Sequence, residues 1–157
     1  MNTTLTRGEA LDTVNFAIKN FANNIEIEDS MLEVITYAVN NDLQIRDYFL
    51  GLPSAWSLPV AVDFVNYLSR LTKAEDCYAY DTISAMYHIE QGNNKLASTL
   101  LETAEIANPD YNLIKLAKRV IAQEWPGETL TTMRQELHSK VVAGIKEEPN
   151  YVIEEVA

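Results

Sequence analysis

The chain contains one cysteine, Cys77, and two histidines, His88 and His138. A lone thiol cannot close an intramolecular disulfide, and one soft ligand with two imidazoles falls short of a structural metal site. Glycine and proline, five of each among 157 residues, are too few for low-complexity sequence. Long apolar runs are missing too, since none approaches the roughly 18–20 residues that span a bilayer. The opening stretch, Met1-Asn2-Thr3-Thr4-Leu5-Thr6-Arg7, lacks the apolar core of a secretory signal. With the unpaired thiol, this predicts a cytoplasmic protein that does not enter a membrane.

Positive charge is scarce. Twelve Lys and Arg stand against 23 Asp and Glu, a formal net charge of −11. Such a chain repels phosphate, which argues against direct nucleic-acid binding and against an anionic membrane surface. Acidity needs no partner to explain it, because it also keeps a protein in solution. Catalytic signatures are lacking as well: there is no P-loop, G-x-G-x-x-G, G-x-S-x-G or H-E-x-x-H. The expectation is therefore no catalytic residues, no cofactor and no metal.

What is present is helical periodicity from end to end. Hydrophobic residues make up 47% of the chain, enough for a domain of this length to bury roughly 68–70% of its unfolded surface without a staple. Thr6-Arg7-Gly8-Glu9 reads as a capping box, and Leu11, Val14, Ile18 and Phe21 follow at helical spacing over 9–23. Ser30-Met31-Leu32-Glu33 reads as a second box, opening a stripe of Leu32, Ile35, Ala38 and Val39. Asp42 is a good N-cap for a helix over 43–50, with Gly51 as a left-handed terminator. Ser57-Leu58-Pro59 starts the next helix, since a proline in the first turn loses no hydrogen bond. Further helices are predicted over 76–91, 94–107, 111–124 and 129–143, the last with Leu130, Met133, Leu137 and Val141 as its apolar stripe. These elements make one helical domain over 1–145. Residues 146–157, with Glu147, Glu148, Glu154 and Glu155 around Pro149, read as an acidic flexible tail.

The stretch 78–111 carries a pattern of its own. Ala85, Gly92, Ala97, Leu101, Ala104 and Pro109 occupy the small, turn, small, large, small and proline places of a tetratricopeptide repeat. Small residues let two antiparallel helices approach closely, Gly92 supplies a left-handed turn, and Pro109 ends the second helix. Asp81, Ser84 and His88 stand where the repeat usually has large apolar residues, and no second copy is visible. One repeat cannot bury its own apolar face. The predicted fold is thus all-α, a compact multi-helix bundle containing a tetratricopeptide-like antiparallel helix pair.

A wider set of residues resembles the C-terminal helical half of the bacterial family named domain of unknown function 4192. The carrying residues are Arg46-Asp47-Tyr48-Phe49-Leu50, then Tyr87 leading to Glu90-Gln91-Gly92-Asn93, Leu96-Ala97 and Leu100-Leu101. Asn108-Pro109-Asp110-Tyr111-Asn112-Leu113 is similar to the family's A-x-P-x-Y-x-L signature, and Pro126 before a helix fits its closing segment. The resemblance spans roughly residues 30–140, without the family's longer N-terminal portion and with an acidic tail added. It implies a cytoplasmic bacterial or phage-borne protein, mostly actinobacterial, and no known reaction.

Each residue with chemistry has a plain structural explanation beside the functional one. His88 reads as a hydrogen-bonded, half-buried histidine, and His138 as a cation near a helix C-terminus. Cys77 opens a helix, but Glu75 and Asp76 beside it oppose thiolate formation, so it reads as a packed residue. Glu26, Glu28 and Asp29 complement a helix N-terminus and lack the glycine and oxygen spacing of a calcium loop. The tyrosines Tyr37, Tyr48, Tyr67, Tyr78, Tyr80 and Tyr87 read as core residues with hydroxyls at the surface, or as part of a binding face. The loop Leu52-Pro53-Ser54-Ala55-Trp56 offers an exposed Trp56.

The function expected from these readings is non-enzymatic binding of a protein or peptide through a helical surface. Thr82, Met86, Ile89 and Glu90, the inward-facing places of the repeat-like hairpin, are the expected contacts, with Trp56 beside them. Two alternatives differ in class. One is an acidic inhibitor or nucleic-acid mimic, phage- or plasmid-borne, that occupies a partner's basic groove. The other is a small enzyme with an unrecognised pocket. A homodimer also fits, because the apolar surface exceeds what one hairpin covers.

Overall fold

The computed structural model describes residues 4–153, and within them the chain is all-helical. The helices are α1 (Arg7–Ala22), α2 (Asp29–Asn41), α3 (Leu43–Leu50), α4 (Leu52–Ala55) and α5 (Leu58–Leu71). A 3-10 turn at Ala74–Asp76 leads into α6 (Tyr78–Glu90), α7 (Asn94–Ala107), α8 (Asn112–Ala122) and α9 (Gly127–Glu147).

Local chemistry sets most of the ends. The Thr6 hydroxyl accepts from the Glu9 amide at 3.2 Å, Asp42 from Gln44 at 3.3 Å and Ser57 from Val60 at 3.2 Å, each holding a first-turn donor. Gly92 has φ +80°, the left-handed conformation a side chain disfavours, and turns α6 back into α7. Two expected ends are corrected. Ser30 does not cap α2; the helix opens earlier than that cap implies, at Asp29, with Glu28 as N-cap. Gly51 is not left-handed: its φ of −88° lets the chain run on into α4, so the expected loop around Trp56 is a helical turn with Leu52 and Pro53 buried.

Gly51 is needed for space. A Cβ there would stand 2.5 Å from Nδ1 of His138, because α9 crosses α3 at that point. The same holds at Gly127, where a Cβ would overlap the backbone carbonyl oxygen of Glu90. The start of α9 thus lies against the end of α6. Gly127→Ala is expected to lower stability by about 1–3 kcal/mol, as over-packing against a backbone does. Urea denaturation checks this, and an unchanged midpoint would mean the two backbones are free to separate.

α6 is the central helix. Ala79, Tyr80, Ile83 and Tyr87 enter a large core built with α1, α2, α3 and α5. Ala85 and Ile89 enter a second core with Ala97, Leu101 and Ala104 of α7 and Ile114, Ala117 and Val120 of α8. Burial on both sides explains a helix apolar nearly all round. The fully buried alanines 85, 97 and 104 bring α6 and α7 together as the expected antiparallel pair. Asp81 and Ser84 are polar because α5 supplies partners: Ser69 donates to Asp81 at 3.0 Å, and Ser84 donates to Asn66 at 3.2 Å. Burial raises the Asp81 pKa, and the Ser69 hydrogen bond opposes that rise.

The C-terminal segment differs most from expectation. Residues 146–153 are not a loose tail: α9 runs to Glu147, and the chain then docks on the start of α1. The carbonyls of Pro149 and Tyr151 accept from the amides of Gly8 and Arg7, both at 2.7 Å, and Ile153 donates to Leu5 at 2.8 Å. Carbonyls that need donors meet first-turn amides that need acceptors, and Ile153 is buried. Arg7 lies at the centre, bidentate to Asp42 at 2.9 and 3.0 Å, 4.1 Å over the Tyr151 ring and 3.3 Å from Glu148. Residues 154–157 of the expected tail lie outside the described residues.

Candidate groove between α6, α8 and α9

α8 and α9 both pack on α6 and make at most marginal contact with each other. The result is a groove of about 330 Å³, with α6 as its floor and the other two helices as walls. Met86, Tyr87 and Glu90 form the floor, Leu113 and Leu116 one wall, and Leu130, Met133 and Leu137 the other. It is open to solvent, since Leu116, Met133 and Leu137 remain 41%, 46% and 39% exposed.

One end of the groove is fixed by a charged pair. Arg134 of α9 meets Glu90 through Nε–Oε1 at 2.8 Å and Nη2–Oε2 at 2.9 Å, and its Nη1 donates to Ser54 of α4 at 2.7 Å. The side chains are 13% and 7% exposed, so this pair is largely desolvated. Such a fork joins three helices at a set angle. Lys140 and Glu136 edge the same wall further along α9.

The expected contact residues divide. Met86 and Glu90 line the groove, Glu90 with its carboxylate already engaged by Arg134. Thr82 and Ile89 do not face a partner. Both are buried, Thr82 donating to the Tyr78 carbonyl and Ile89 packed in the second core. The repeat register assumes an open inner face, whereas here α5 and α9 cover α6. Trp56 is 41% exposed at the end of α4, away from the groove lining.

Compared with known proteins, the chain matches no family model, no curated protein and no solved structure.

Among the described residues, no three His, Cys, Asp or Glu side chains gather as a metal site, and no helix is long and apolar enough to cross a membrane. Cys77 is buried, its Sγ 3.2 Å from the Lys73 carbonyl and 3.3 Å from that of Ser69, and burial pushes the thiol pKa up. His88 is half-buried, its pKa lowered by burial against the opposing effect of the expected side-chain hydrogen bond, here with Gln91, while its Nδ1 has no partner. His138 is not near a helix end, because α9 continues to Glu147; burial first, then Arg134, lowers its pKa and favours the neutral ring. Tyr48, Tyr80 and Tyr87 are buried with their hydroxyls bonded to Asn15, Thr36 and the Phe49 carbonyl.

Sequence reading missed the walls. Met133 and Leu137 fall on the same stripe as buried Leu130 and Val141 and so read as core. Leu116 beside buried Leu113 and Ala117 widens the apolar arc of α8 past what its neighbours cover, and that width was the available signal.

Proposed function

We propose that the chain is a non-enzymatic protein-interaction module whose groove over α6 receives a single helix of a partner protein. The supporting observation is the apolar trough itself, walled by two helices that leave Leu116, Met133 and Leu137 uncovered. A helix lying between α8 and α9 would complete the layer on α6, as amphipathic ligands do in other helical grooves. Met86 and Met133 suit that task, because unbranched thioether side chains adapt their shape to what they meet.

The acidic-mimic reading draws less support. Carboxylates occur on α1, α2, α3, α5, α6, α7 and α9, and no single helix concentrates them. We also place the protein in the cytoplasm, a reading that rests on its single buried thiol and on the family resemblance.

The test is a paired substitution at exposed wall positions. Met133→Asp with Leu137→Asp is expected to leave the circular dichroism spectrum and the urea midpoint close to wild type. Capture of the native partner from the source cell should fall by more than about tenfold, the effect of losing roughly 1.4 kcal/mol of apolar contact. Equal capture by a folded double variant would remove the groove from the function.

A further inference from the structure

We infer that the helix received by the groove is acidic: an apolar stripe flanked by Asp or Glu, despite the chain's own net charge of −11. This rests on the groove reading above and adds the chemistry of the occupant.

The argument is the local distribution of charge. α8 carries Lys115, Lys118 and Arg119 and no carboxylate, an isolated basic element in an acidic chain. Lys118 is taken up by Glu105 of α7. Arg119 lies three residues beyond Leu116, so helix geometry puts it along the same edge of the groove. Lys140 stands three residues beyond Leu137 on the opposite wall and contributes to the lining. Arg119 and Lys140 are exposed, and neither makes an ion pair among the described residues. The Glu90 and Arg134 charges at the floor satisfy one another, leaving Glu136 as the single unengaged carboxylate of the lining.

Lys140 and Glu136 are thus the free charges of the lining itself, and Arg119, at the outer edge of α8, adds a second free cation on the opposite side. At physiological ionic strength charge is screened beyond about 8 Å, so the rim governs a docked helix more than the net charge does. A helix with carboxylates on both sides of its apolar stripe meets Arg119 on one side and Lys140 on the other. A basic helix meets like charge at both edges. Rim pairs of this kind add modest affinity and mainly select the partner.

Three synthetic helices test the inference, identical in an apolar stripe at i, i+3, i+4 and i+7 and flanked by Glu, Gln or Lys. Binding to the full chain is read from the methyl signals of Met86 and Met133 in nuclear magnetic resonance titrations at 0.15 M salt. The Glu-flanked peptide should shift both methyls and bind about fivefold tighter than the Gln peptide, the sum of two exposed ion pairs. The variant Arg119→Glu with Lys140→Glu should invert the order in favour of the Lys peptide.

Equal affinities, or preference for the Lys peptide by the unaltered chain, would overturn the acidic occupant while leaving the groove. Failure of every peptide to move either methyl would overturn the groove reading itself. A shift of the same methyls with protein concentration alone, matched by a dimer in sedimentation, would make a second copy the occupant and overturn the inference.

Discussion

Arg7→Ala is expected to lower the free energy of unfolding by about 3–5 kcal/mol, because it leaves the Asp42 carboxylate buried without its partner. Arg7 and Asp42 keep only 8% and 5% of their side-chain surface, so solvent screens little of the loss. The Asp42 hydrogen bond is also the first cause of the raised Arg7 pKa, ahead of the opposing cost of burial. Glu148 is 68% exposed and adds little. The effect should reach beyond the pair: Tyr151 loses its stacked guanidinium, so amide exchange at Gly8 and Ile153 should accelerate. Replacing both partners by apolar residues, as in Arg7→Met with Asp42→Leu, should recover much of the loss, with Asp42's capping of Gln44 still missing. Urea denaturation of the three proteins decides it. A single-variant loss below about 1 kcal/mol would mean that the clasp is an ordinary surface ion pair.

The second large effect concerns the groove. Glu90→Ala should cost about 3 kcal/mol, since Arg134 keeps only its Ser54 hydrogen bond in a largely desolvated position. The loss should appear in the groove as well as in stability. Arg134 joins α9 to α6 and α4, so the Met133 wall loses its fixed distance from the Met86 floor. The expected signature is a lowered urea midpoint together with broadened methyl signals from Met133. Glu90→Met with Arg134→Met should restore stability while leaving the groove end uncharged. Sharp, unmoved Met133 signals in folded Glu90→Ala would show that α9 is held by its packing on α3, α4 and α6 without the ion pair.

Features that depend on neighbours in the chain were legible in the sequence. Thr6, Asp42 and Ser57 cap the helices expected of them, and Gly92 takes the left-handed turn. α3 and α7 have the expected bounds, and Ala85, Ala97 and Ala104 pack at the close contact their size foretold. Features that depend on distant residues were not. Residues 149–153 read as a loose tail because the α1 start on which they dock, with Arg7 under the Tyr151 ring, lies at the other end of the chain. Gly51 has the composition of a helix terminator, and its actual requirement, room for His138, involves another helix. A repeat register puts Thr82 and Ile89 on an open face because it carries no knowledge of what covers them.

The spacing of apolar residues and the chemistry of caps act within one or two turns, so the sequence by itself determined that this chain is helical, where most helices begin, and that α6 and α7 form a close pair. Tertiary structure decided which apolar residues lie in a core and which remain at a rim. That outcome depends on whether another helix happens to cover the face, and at Leu116, Met133 and Leu137 α8 and α9 part instead of meeting. It also decided the fate of charge: Arg7 and Glu90 are buried because a partner arrives from far along the chain, a condition that no local pattern records.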